Sequence, residues 1–70
     1  MQRIDQVRNC IAGGTTRVVD MVPLIYTELD TAMYGAAAHS VLGSIEYLIA
    51  ANAVVSTAGQ LSLEGEYKIA

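Results

Sequence analysis

Residues 36–69 constrain the fold of this chain more than any other part of the sequence. The stretch opens with apolar residues at the spacing of one helix face: Val41, Leu42, Ile45, Leu48 and Ile49. The pattern then changes to that of two short strands, at 53–56 and 66–69, separated by a polar loop at 57–65. Few small folds contain a helix that leads directly into a β-hairpin. The elements predicted for the N-terminal half indicate which of these folds the chain adopts.

That half begins with a predicted helix over residues 2–12. Ile4, Val7 and Ile11 lie on one face of it, and polar residues occupy the other. Gly13 and Gly14 then end the helix, because glycine readily adopts the left-handed conformation found after a helix C-terminus.

A second helix is predicted over residues 18–28, with Thr16 as its N-cap. Its apolar stripe consists of Val18, Val22, Ile25 and Leu29. Pro23 lies inside this helix and lacks the amide needed for an interior hydrogen bond. We favour a helix that begins before Pro23 and bends there. The alternative makes Asp20 the N-cap and places Pro23 in the first turn.

Residues 29–35 are predicted to form a turn, in which Asp30 caps a short segment at 31–34. The third helix then covers residues 36–51, and Leu61 with Leu63 extends the hairpin that follows. The order is helix, helix, helix, strand, strand. The sequence therefore predicts a single α+β domain, mostly α, over residues 1–70: a winged helix-turn-helix with a two-stranded wing.

Composition narrows the environment of the chain and its class of partner. Its net charge of −3 gives no electrostatic attraction to nucleic acid or anionic lipid. Its apolar runs are shorter than the roughly 20 residues of a membrane span. A single cysteine, Cys10, excludes an internal disulfide. We expect a cytoplasmic protein that binds neither membranes nor nucleic acid.

The residue pattern indicates neither a catalytic site nor a metal-binding site. His39 is the only histidine, and no other histidine or cysteine stands at ligand spacing, so a surface or interdomain role is the better interpretation. Cys10 has no histidine placed to activate it and is expected to be half-buried packing. The sequence predicts no catalytic residue, no metal ligand and no cofactor in this chain.

The third helix lacks the residues that a DNA-recognition helix requires. The four basic residues are Arg3, Arg8, Arg17 and Lys68, and none occurs between positions 18 and 67. The outward face of this helix is predicted to carry small and uncharged residues beside Glu46: Ala37, Ser40, Ser44, Tyr47 and Ala51. Such a surface offers no cation to the phosphate backbone.

The same face is suited to contact with protein. Small residues at Ala36, Ser40 and Ser44, with Gly43 nearby, allow another element to approach closely, and Tyr47 is a residue type enriched at interfaces. We therefore predict an interdomain face that contains Ser40, Ser44 and Tyr47. The alternative is an ordinary solvated face whose small residues are only good helix formers.

Three segments together resemble the C-terminal winged-helix domain of metallo-β-lactamase-fold hydrolases. They are VVDMVPLIY at 18–26, AAHSVLGSIEYL at 37–48 and GEYKI at 65–69. Two departures occur: Asn52 replaces the usual helix-ending glycine, which asparagine can do, and the arginine expected near the wing is missing. The metal-binding motifs of such enzymes belong to another domain and map onto no residue of this chain.

The resemblance implies a non-catalytic domain that packs beside the catalytic domain of a metal-dependent hydrolase. There it shapes substrate access or dimer contacts, and the parent enzyme carries zinc or another divalent metal. On this interpretation the chain is part of a longer protein, Met1 is an added start, and the partners are the catalytic domain and a second copy in a homodimer. The alternative is a free-standing winged-helix module that binds protein or acts as a regulator.

Overall fold

The computed structural model describes residues 2–57, 59 and 61–70, with only the backbone of Gln2. Met1 and two residues of the predicted wing loop, Ala58 and Gln60, lie outside this description. The helices are α1 (Gln2–Ala12), α2 (Val18–Ile25) and α3 (Tyr34–Ala50), with a 3₁₀ turn at Thr31–Met33 before α3; the strands are β1 (Val54–Ser56) and β2 (Tyr67–Ile69). This is the predicted α+β winged-helix arrangement of three helices followed by a two-stranded antiparallel sheet.

The core lies where α1 and α2 pack against α3 and where the sheet closes one end. Its buried apolar residues come from the three α-helices and both strands: Val7, Ile11, Val18, Met21, Val22, Ala37, Val41, Ile45, Leu48, Val54 and Tyr67. Leu48 is 4% exposed, which confirms its predicted place on the inward stripe of α3. In so small a domain, a few central side chains supply much of the apolar burial that stabilises it.

Helices α1 and α3 end in the same way. Gly14 follows α1 with φ of 100°, and Asn52 follows α3 with φ of 61°, so asparagine takes the left-handed position as predicted. After α3, the amide of Ala53 donates to the carbonyl of Leu48 at 2.9 Å. This bond satisfies a carbonyl that the helix leaves free and directs the chain into β1.

The start of α2 differs from the prediction. Arg17 occupies the N-cap position and makes no side-chain capping bond, so the prediction of Thr16 as N-cap is wrong. The carbonyl of Thr16 instead accepts a hydrogen bond from the amide of Tyr67 at 2.9 Å, and Arg17 forms an isolated antiparallel bridge with Glu66. Pairing with the sheet therefore fixes this segment in place of a capping side chain.

Helix α2 begins before Pro23, as favoured, and the alternative start at Asp20 is wrong. It ends at Ile25 rather than at residue 28. Tyr26 has left helical geometry, and the chain after it turns so that Leu29 packs against the core. Met21 is fully buried, although the predicted stripe did not include it. Tertiary packing here outweighs the local pattern.

Asp30 caps the turn before α3, as predicted. Its carboxylate accepts a hydrogen bond from the amide of Ala32 at 3.0 Å. The 3₁₀ turn continues without interruption into α3, which therefore begins at Tyr34, two residues before the predicted start.

The wing is shorter than the sequence suggests, and a tyrosine anchors its loop. Leu61 and Leu63 lie outside both strands and are exposed, so the predicted extension of the hairpin is wrong. The Tyr67 hydroxyl, on a fully buried ring, donates to the Ser62 carbonyl at 2.6 Å and accepts from the Ser62 amide at 2.9 Å. A Cβ on Gly65 would lie 3.0 Å from that hydroxyl oxygen, which explains the glycine.

Candidate functional site

Helix α3 has two faces of different composition. The inner face is buried in the domain and consists of Ala37, Val41, Ser44, Ile45 and Leu48. The outer face is exposed and consists of Ala36, His39, Ser40, Gly43, Glu46, Tyr47 and Ala50. In each set, single residues or adjacent pairs recur about once per helical turn, as the 3.6-residue period of an α-helix requires.

The structure separates the three residues predicted to form a contact face. Ser40 and Tyr47 are exposed, and Tyr47 is 52% exposed. Ser44 is only 9% exposed, so its predicted outward position is wrong. It lies one helical turn from both Val41 and Leu48, and this spacing places it on the inner face. Its Oγ donates to the Ser40 carbonyl at 3.4 Å.

Ala37 was expected on the outward face and is also buried, at 6% exposure, whereas Ala51 is exposed as predicted. Ala37 and Ser44 are small, so their residue types do not distinguish burial from exposure. Their spacing from the large apolar residues was the signal that could have placed them.

Gly43 is a feature of the outer face that packing within the chain does not require. Among the described residues, a Cβ added at this position would meet no atom within 4 Å beyond the neighbouring backbone of α3 itself. Glycine in the interior of a helix destabilises it by about 1 kcal/mol relative to alanine. A glycine that no internal contact requires leaves room for the close approach of another molecule.

The electrostatic character of the outer face is set by one residue. Glu46 is the only charged residue in α3. The four basic residues lie on other elements: Arg3 and Arg8 are on α1, Arg17 precedes α2 and Lys68 is in β2. The guanidinium of Arg3 lies 4.2 Å from the centre of the Tyr26 ring. Apart from Glu46, the outer face therefore consists of residues that carry no formal charge, and several of them are small.

The residues considered for chemistry lie apart. His39 is exposed on the outer face of α3, whereas Cys10 is half-buried on α1, as expected. Burial raises the pKa of the Cys10 thiol, which lowers the fraction of reactive thiolate at neutral pH. Within residues 2–57, 59 and 61–70, no three His, Cys, Asp or Glu side chains form a group that could hold a metal ion.

An apolar groove of about 360 Å³ adjoins the outer face. Its lining residues come from the C-terminal half of α3, from β1 and from the wing loop: Glu46, Ile49, Val55, Ser56, Gly59 and Leu61. Sequence reasoning missed this groove, because no single element carries a pattern that would reveal it. A second cleft, of about 300 Å³, lies between α1 and α2 and includes Cys10 and Leu24.

Comparisons with known proteins identify no relative of the chain. No protein-family model matches it, and neither a curated protein nor a solved structure gives a match. In the part of the chain that the structure describes, none of the helices has the length and apolar character needed to cross a membrane.

Proposed function

We propose that this winged-helix domain is a non-catalytic protein-binding module that docks through the outer face of α3. Gly43 is the observation that carries the proposal. It weakens the isolated helix, and no contact with the described residues outside α3 requires it. A partner that packs closely against α3 would require it, because any larger residue would hold the two surfaces apart.

The rest of the outer face supports the same function. Ala36, Ser40 and Ala50 are small and exposed, so the approaching surface meets few long side chains. Tyr47 is 52% exposed and combines a large apolar ring with a hydroxyl, as residues at the centres of interfaces often do. Such a face buries little charge on docking, which keeps the cost of desolvation low.

For the partner, we propose the catalytic domain of a metallo-β-lactamase-fold hydrolase. The support is the resemblance carried by segments 18–26, 37–48 and 65–69. In such a protein this domain would pack beside the metal site, shape substrate access or contribute to a dimer, and the zinc or other divalent metal would belong to the catalytic domain. The activity would be hydrolysis of an ester, thioester or phosphodiester.

Sequencing the genomic DNA upstream of the Met1 codon tests this choice of partner. The proposal predicts a continuous reading frame that encodes a His-x-His-x-Asp-His motif, the residues that hold the metals in such hydrolases. A stop codon immediately before Met1 would exclude a covalently attached catalytic domain.

The alternative is a free-standing winged-helix module that binds protein or acts as a regulator. It needs the same outer face but no attached enzyme, so a stop codon upstream would favour it. A regulator that binds DNA directly is disfavoured, because α3 carries no lysine or arginine. A gel mobility-shift experiment at low salt tests this: we expect no saturable shift with micromolar protein, and a saturable shift would contradict the charge argument.

A further inference from the structure

The groove beside the outer face leaves apolar side chains uncovered at a concave site. Ile49 contributes from α3, Val55 from β1 and Leu61 from the loop after β1. Val55 and Leu61 are each 38% exposed, whereas Val54, beside Val55 in β1, is 1% exposed. A concave apolar surface of this kind is the usual receptor for an inserted aliphatic side chain.

One charge adjoins this apolar surface. Glu46 is the only charged residue that lines the groove, and no described residue forms an ion pair with it. A carboxylate at the rim favours a partner with a nearby lysine or arginine and disfavours one with a nearby aspartate or glutamate. The groove is therefore complementary to an aliphatic residue next to a basic residue.

We propose that the groove binds a segment of a partner protein in which an aliphatic side chain enters between Ile49, Val55 and Leu61 and an adjacent lysine or arginine pairs with Glu46. This inference rests on the proposed docking function, because Glu46 belongs to both the outer face and the groove. A second copy of the chain is a poorer occupant, since each copy carries a net charge of −3 and two copies repel each other.

Nuclear magnetic resonance titration of the ¹⁵N-labelled chain with three synthetic peptides tests the proposal. The peptides are Gly-Lys-Leu-Lys-Gly, Gly-Glu-Leu-Glu-Gly and Gly-Lys-Ser-Lys-Gly, each with blocked ends. At millimolar concentrations, we expect the first peptide to shift the backbone amides of Ile49, Val55 and Leu61 more than either of the others. A larger shift with the first peptide than with the second shows that binding requires the basic residues. A larger shift than with the third shows that it requires the aliphatic side chain.

Two matched variants assign the charge effect to one carboxylate. Glu46→Gln is expected to weaken binding of the first peptide by about two- to fivefold, the range for an exposed ion pair. Glu28→Gln removes the same charge at an exposed position that does not line the groove, and binding should be unchanged. Equal losses in both variants would show only a response to net charge and would overturn the assignment to Glu46.

Three other outcomes would also overturn the proposal. They are the absence of any shift at the groove amides, an equal response to the lysine and glutamate peptides, and peptide-free shifts that grow with protein concentration. The last would identify a second copy as the occupant. Failure of this peptide proposal is distinguishable from failure of the docking function. The docking function is tested separately, by the protection of a cysteine introduced as Ser40→Cys on the outer face.

Discussion

The inner and outer faces of α3 belong to one helix, but packing within the domain determines the residues of the inner face only. On the inner face, Val41 and Ile45 are completely buried, and the packing of this domain accounts for them. On the outer face, Gly43 and Tyr47 are exposed, and no contact of Gly43 with the described part of the chain explains why alanine is not there. Folding alone accounts for the inner face, whereas the exposed glycine of the outer face is what we would expect if a contact outside the domain covers it.

The largest expected effect is on the inner face, at Leu48. Leu48→Ala should lower the free energy of unfolding by about 2–5 kcal/mol, because it removes buried methyl groups and leaves a cavity. In a domain whose total stability is on the order of 5 kcal/mol, this change could unfold most of the protein. Urea denaturation measures the effect.

Tyr47→Ala is the control for that variant on the outer face of the same helix. It should change the free energy of unfolding by no more than about 0.5 kcal/mol, as exposed substitutions usually do. Similar losses at Leu48 and Tyr47 would remove the distinction between the two faces.

Two serines, four positions apart, give the sharpest test of the boundary between the faces. Ser44→Glu should cost several kcal/mol in the isolated chain, because a carboxylate would enter a nearly closed position without a partner. Ser40→Glu should cost no more than about 0.5 kcal/mol, since Ser40 is exposed. The outward position predicted from sequence would make both changes harmless. Equal tolerance in thermal denaturation would therefore favour the sequence interpretation over the structure.

The smallest expected effect has the opposite sign. Gly43→Ala should stabilise the isolated chain by up to about 1 kcal/mol, because alanine has the higher helix propensity and its Cβ meets no atom. The same substitution should weaken docking, since the added methyl group lies on the contact face. A loss of stability in the isolated chain would show that Gly43 serves the fold, and the main support for the docking proposal would then be lost.

The elements predicted best are those whose signal is local and repeated. Helix α1 has its predicted bounds, and the inward stripe of α3, including Leu48, is confirmed. Asp30 and Asn52 were also predicted correctly, because a capping carboxylate and a left-handed asparagine act on the backbone within a few residues. Local chemistry is sufficient at these positions.

The sequence failed where a distant contact decides the structure. Thr16 reads as a helix cap, yet its carbonyl pairs with the amide of Tyr67 far along the chain. Leu61 alternates with polar neighbours like a strand residue, yet the buried Tyr67 hydroxyl holds the adjacent Ser62 in a turn. Single-sequence patterns do not contain these pairings.

For a related reason, the sequence predicted the exposure of only some residues of the candidate site. The exposed positions of Ser40 and Tyr47 were predicted correctly, because both residues lie off the apolar stripe of α3. The position of Ser44 was predicted wrongly, because its small polar side chain suggests exposure. Its spacing from Val41 and Leu48 places it on the buried face instead. The groove was missed because Val55 and Leu61 reach it only after the chain folds.

We propose, as the central claim, that another domain or another protein covers the outer face of α3. Thiol labelling in the cells of origin tests it most directly, with cysteine introduced as Ser40→Cys or Arg8→Cys in a Cys10→Ser background. Both positions are exposed, and Arg8 lies on α1, so the ratio of the two labelling rates cancels differences in reagent access. The account predicts that Ser40→Cys reacts severalfold more slowly, relative to Arg8→Cys, in cells than in the purified chain. An unchanged ratio would show that the outer face remains in solvent and would contradict the account.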